Sequence, residues 1–97
     1  MADIIKADYQ MLEEMARTFR SGAQQLEDTL RELQNIANTF ENGALLGRGG
    51  QSFSEVIRGP MCASVEKMIA KFQELEYDVL GAMTDHRDED IESGTRF

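Results

Sequence analysis

The stretch IKADYQMLEEMARTFRSGAQQLEDTLRELQNIANTF, residues 5–40, decides how the chain is read. Its apolar residues fall at Ile5, Tyr9, Leu12, Ala16, Phe19, Ala23, Leu26, Leu30, Leu33, Ala37 and Phe40, in alternating steps of four and three. Such steps place successive side chains on one stripe of an α-helix, the a/d seam of a heptad repeat. Glu13, Glu14, Arg17, Arg20, Gln24, Glu27, Asp28, Arg31 and Glu32 lie between them as a solvated face, and no proline interrupts the run. The pattern predicts a first helix over about 7–41. Gly22 sits mid-helix, where glycine costs about 1 kcal/mol relative to alanine. It is either a tolerated defect or a flat patch where another helix crosses closely.

The turn follows at ENGALLGRGG, residues 41–50. Asn42 and Gly43 both tolerate left-handed backbone and stop the helix. Gly47, Gly49 and Gly50 oppose its continuation, so a turn is expected over about 42–50. A second helix is expected over about 51–88, with a seam at Phe53, Ile57, Met61, Val65, Met68, Phe72, Leu75, Val79 and Ala82. The early steps are irregular around Gly59-Pro60, and a helix-interior proline loses a backbone bond and clashes with the preceding turn. A kink or a restart is therefore expected near 59–60. An acidic tail over about 89–97 completes a single helical-hairpin domain spanning 1–97.

The predicted fold is all-α: an antiparallel helix-turn-helix hairpin that dimerises into a four-helix bundle. The dimer follows from surplus apolar surface. Ile4, Met11, Met15 and Ile36 lie off the first seam, and Val56, Cys62, Ile69, Leu80 and Met83 lie off the second. A second hairpin could cover what one hairpin cannot. The expected dimer or partner interface is Met11, Met15, Phe19, Gly22, Cys62 and Ile69. The six methionines suit either core filling or an adaptable interface. Cys62 is the sole cysteine. It reads as a small buried hydrophobe or as a disulfide across a homodimer.

Composition narrows the function. Eighteen acids against ten bases give a net charge of −8. That excludes the basic footprint of a nucleic-acid binder and disfavours anionic membrane surfaces. No apolar run reaches the roughly 18 residues of a membrane span, and the beginning MADIIKADYQ lacks the pattern of a cleaved signal peptide. The expectation is a protein made in the cytoplasm. No catalytic residues, metal or cofactor are expected. His86 is the only histidine, and Ser52, Ser54 and Ser64 have no evident base and orienter. Gly47-Arg48-Gly49-Gly50 lacks the lysine of a phosphate loop. The chain reads as a non-enzymatic protein.

At the turn, Leu45-Leu46-Gly47-Arg48-Gly49-Gly50-Gln51-Ser52-Phe53 resembles the hundred-residue, ESAT-like WXG family, the small helical-hairpin substrates of type VII secretion. Gly47 matches the motif glycine, Gly49 and Ser52 are small, and Phe53 matches the aromatic opening the second helix. Arg48, Pro60 and Phe97 agree with a bacterial subgroup carrying a Trp-x-Gly-Arg-Gly turn and an acidic tail ending in Phe. Leu45 stands where the motif has tryptophan, and it lacks the indole N–H. The resemblance implies that Leu45, Gly47, Gly49 and Phe53 set the turn. It also implies export as a folded dimer, secretion without a cleaved signal peptide, and action as a substrate or adaptor, effector-like or targeting a larger toxin. The implied partners are a second copy or a related hairpin protein, a secretion ATPase and the toxin. The family's export signal is an aromatic followed four positions later by an acid. Phe72 and Glu76 have that spacing, His86 and Asp90 resemble a histidine variant, and Tyr77 faces Gly81 at that offset and does not fit. The signal is therefore also expected on a heterodimer partner. The competing reading is an intracellular coiled-coil scaffold or chaperone subunit with no export role.

Overall fold

The computed structural model describes the backbone of residues 2–44 and 48–95, and the side chains of residues 8–43 and 49–84. The expected turn residues Leu45 and Gly47 lie outside the described residues, as do the side chains of His86 and Asp90. Among the described residues the chain is entirely helical. Helix α1 spans Ala2–Thr39 and leads into a wide turn at Phe40–Ala44. Helix α2 spans Arg48–Val56, a π turn occupies Ile57–Met61, and helix α3 spans Cys62–Thr95. The two long helices form a hairpin. Helix α1 begins earlier than the heptad pattern indicates, α2 begins within the expected turn, and α3 continues to Thr95, past the expected end near 88.

The break after α1 has one backbone cause. Gly43 takes φ 104°, the only positive φ among the described residues. A Cβ in that conformation meets the adjacent carbonyl, so glycine is the residue that reverses the chain there at least cost.

Two compact units make up the chain, Met1–Ser21 with Phe72–Phe97 and Gly22–Lys71. In the second, Ala37, Ile57 and Cys62 form a buried cluster, and Leu30, Leu33 and Phe40 pack against it. In the first, Phe19 meets Phe72 edge-on, with ring centroids 6.0 Å apart and planes at 73°. The first seam lies inward throughout the described side chains. Tyr9, Leu12, Phe19, Leu26, Leu30, Leu33 and Phe40 are half-buried, and Ala16, Ala23 and Ala37 are buried.

The second seam is corrected by one residue. After Pro60 the buried and half-buried positions are Cys62, Val65, Ile69, Phe72, Leu75, Glu76, Val79 and Met83, in steps of three and four with Leu75 and Glu76 side by side. Cys62 and Ile69 are 5% and 9% exposed, whereas Met61 and Met68, placed on the seam by spacing alone, are 43% and 47% exposed. Ala82 is exposed as well. The cause lies in the π turn. Pro60 has no N–H to offer the Val56 carbonyl four residues back. The Cys62 N–H reaches the carbonyl of Ile57, five residues back. One extra residue is thus absorbed between Ile57 and Cys62, so that Cys62, Ile69 and Met83 take the inward places expected of Met61, Met68 and Ala82, while Val65, Phe72 and Val79 stay inward. The chain passes Gly59-Pro60 without stopping and without restarting at Pro60.

Candidate interaction surfaces and the polar latch at the turn

Near the turn, the last turn of α1 is tied to the segment that follows by four polar side chains. Asn38 and Glu41 lie three apart on α1 and the wide turn, and Ser54 and Arg58 lie four apart on α2 and the π turn. Each pair therefore presents side chains to one face. Arg58 Nε donates to Glu41 Oε1 at 2.6 Å, and its Nη2 donates to Glu41 Oε2 at 3.0 Å. Nη2 also donates to Asn38 Oδ1. The buried Ser54 hydroxyl donates to Glu41 Oε1. The fork of Arg58 across both carboxylate oxygens is the bidentate geometry that fixes orientation as well as distance. It holds the Glu41 carboxyl down at about 2, below its ordinary 4.5, first through Arg58 and then through Ser54, with partial desolvation working against both. The same pairing pushes the Arg58 guanidinium up. Beside this latch, Phe53 stacks on Phe40 at a centroid distance of 5.4 Å and an interplanar angle of 30°. Phe53 is otherwise largely exposed, and Gly49 at the start of α2 is exposed too. None of Asn38, Glu41 and Arg58 stood out in the sequence as site residues, and Ser54 stood out only as a serine without a catalytic base. The available signal was the three-and-four spacing of polar groups on either side of the turn.

Of the residues expected at a partner interface, Met11 and Met15 are exposed, and Phe19 and Gly22 are half-buried. Cys62 and Ile69 are buried inside the hairpin, Cys62 against Ala37 and Ile57. Cys62 is a free thiol. The expected export pair is engaged within the fold: Phe72 packs on Phe19, and Glu76 accepts from Arg20 Nε at 2.6 Å.

The surface also carries apolar concavities that spacing did not reveal. In the second unit, Leu33, Val56, Pro60, Met61, Ser64 and Val65 line a shallow groove of about 370 Å³. In the first unit, Ala16, Leu80 and Met83 form the floor of a depression of about 290 Å³, rimmed by Glu13, Arg17 and Arg20. Ile36 and Met68 add further exposed apolar surface. Among the described residues no group of three or more His, Cys, Asp or Glu side chains is placed to hold a metal ion. Nor is any helix there long and apolar enough to cross a membrane.

The family described as WXG100, proteins of 100 residues with WXG, matches residues 4–90. No curated protein matches the chain, and no solved structure does. The match runs through both long helices and the turn between them, the same layout that the seams and the Gly43 reversal build. This chain belongs to the WXG100 family, small helical proteins associated with type VII secretion.

Proposed function

We propose that this protein is a non-enzymatic substrate or adaptor of a type VII secretion system, secreted as a folded dimer and acting by binding other proteins, including a larger toxin that it helps to target. The observation that carries the reading is the apolar surface left on a hairpin whose seams are already filled. Met11 and Met15 stand exposed on α1, and the groove at Leu33, Val56, Pro60 and Met61 lies open. Side chains of this size, when covered, contribute about 1.5–3 kcal/mol each before the costs of association. A second helical hairpin supplies the apolar stripe that such surfaces accept.

The engagement of Phe72 and Glu76 within the fold supports a mixed pair, with a related hairpin protein contributing the export signal. The hairpin, whole from residue 1 to 97, serves as one domain in this reading. In this reading Leu45 and Gly47, with Gly49 and Phe53 in α2, make up the family's turn motif, and the tail beyond Asp85 engages the secretion ATPase or the partner.

The test is to express the chain in its native host with and without the secretion ATPase and to assay culture supernatant and cell pellet. The expected result is protein in the supernatant that disappears when the ATPase is removed. Retention in the pellet in both strains, with a co-purifying cytoplasmic assembly, would overturn export and favour the scaffold reading.

A further inference from the structure

We propose that Glu14 and Glu32 choose the partner of α1: a related hairpin whose first helix runs antiparallel to it and carries lysine or arginine opposite these two carboxylates, in preference to a second copy of this chain. The choice presupposes the association proposed above and adds the chemistry of the partner.

Helix α1 is unbroken from Ala2 to Thr39. Beside its inward seam runs a second stripe, from Met11 to Ile36, spaced by threes and fours and carrying no charge. Met11, Met15 and Ile36 stand exposed on it. The Thr18 and Thr29 hydroxyls donate to the carbonyls of Glu14 and Gln25, at 2.9 and 3.0 Å. Both are thus satisfied within the helix, and covering them strands no donor.

The order of residues along this stripe is nearly its own reverse. Turned end for end about the midpoint between Ala23 and Gln24, Met11 meets Ile36, Thr18 meets Thr29 and Gly22 meets Gln25. Met15 comes level with Leu33 to within one residue. Such a stripe fits an antiparallel neighbour of the same pattern, with Gly22 leaving room near the crossing for the Gln25 side chain.

The flank of the stripe decides between neighbours. Glu14 and Glu32 are 18 residues apart, about five helical turns, so they share one flank. In an antiparallel pair related by a two-fold axis each flank meets its own copy, and every contact occurs twice. Glu14 of one chain then comes level with Glu32 of the other to within one residue. Two pairs of carboxylates face each other in a self-pair, whereas a base at either level turns each repulsion into an attraction. Among the described residues neither carboxylate is paired with a base. Arg17 and Arg31, the bases nearest them in sequence, are engaged with Glu13 and Asp28 of α1 itself.

Charge reversal in the full chain tests the choice by sedimentation equilibrium at low salt. Glu32→Lys sets a lysine against Glu14 at both contacts, and its self-pair should be about tenfold tighter than that of the wild type. Glu14→Lys reverses the same contacts from the other side and should match it. The chain carrying both substitutions should pair with itself no better than the wild type, yet should capture fluorescently tagged wild type about tenfold more tightly than the wild type captures itself. High salt should remove most of these gains. Because Glu14 and Glu32 are exposed, each variant should keep the helical circular dichroism of the wild type. If all the chains associate with one affinity, alone and mixed, the selection is overturned while association stands. If none of them associates in any combination, the functional reading falls with it.

Discussion

Arg20 Nε donates to Glu76 Oε2 at 2.6 Å, and Glu76 is the one charged member of the inward stripe that otherwise runs Cys62, Val65, Ile69, Phe72, Val79 and Met83. The pair is lopsided: the Arg20 side chain is more than half exposed, whereas that of Glu76 is mostly covered. Losing Arg20 strands a largely covered carboxylate, whereas replacing the carboxylate with an apolar side chain leaves only an exposed guanidinium. Arg20→Ala should therefore destabilise by about 1 kcal/mol, and Glu76→Leu should be neutral or stabilising by about 1 kcal/mol. Urea denaturation midpoints measure both, and the opposite order would refute the asymmetry.

The two best-defined glycines should respond in opposite directions. Gly43→Ala forces a Cβ into φ 104° and should cost about 1–2 kcal/mol. Gly59→Ala adds a Cβ that meets nothing within 4 Å in helical backbone, and should gain about 0.5–1 kcal/mol from reduced unfolded-state freedom. In a domain of this size 1 kcal/mol corresponds to about 4–8 °C in Tm, so thermal scans separate the pair.

Glu41 sets an acid limit on the turn. Its folded carboxyl titrates at about 2, below the ordinary 4.5 of the unfolded chain. A group depressed in this way contributes stability above the unfolded value and loses it as pH falls through the folded one. The latch contribution should thus be complete above about pH 4.5 and fade toward pH 2. Because Arg58 and Glu41 are both substantially exposed, salt should weaken it. Stability measured against pH should show a shallower acid slope for Glu41→Gln than for the wild type, with the difference confined to that window. Parallel curves would refute the latch.

Much of the hairpin was legible in the sequence, and the part that was not has a local cause. The first seam, an unbroken alternation of four and three, keeps every described member inward because an uninterrupted helix preserves phase over its whole length. The second seam shares Val65, Phe72, Leu75 and Val79 with the observed inward positions and errs by one residue at Met61, Met68 and Ala82. Pro60 was visible as a disruption, but a proline can kink a helix, restart it or be absorbed in a π turn. Spacing does not distinguish these outcomes, and only the last shifts the phase. The latch at Glu41 and Arg58 was hidden for a different reason: it joins residues 17 apart across a turn, beyond the reach of any helical period. Glu76 was noticed only for its distance from Phe72, because a carboxylate on a seam is inconspicuous until its partner is seen.

Core packing near the turn should be the most sensitive part of the second unit. Ala37 is fully buried against Ile57 and Cys62. Enlarging it with Ala37→Leu should cost about 1–3 kcal/mol by overpacking, and Ile57→Ala should cost about 2–5 kcal/mol by leaving a cavity. Chemical denaturation reads both, and losses below 0.5 kcal/mol, roughly the scale of a surface change, would show the cluster misplaced.

Association is the claim on which the functional account rests, and light scattering of the purified chain at tens of micromolar tests it directly. The account predicts a mass of twice the 10.9 kDa chain, or a mixed complex when a related hairpin protein is present, and the loss of that association when Met11 and Met15 are both replaced by glutamate. A helical, cooperatively folded species that remains at 10.9 kDa, both alone and mixed with a related hairpin protein from the same host, would contradict it.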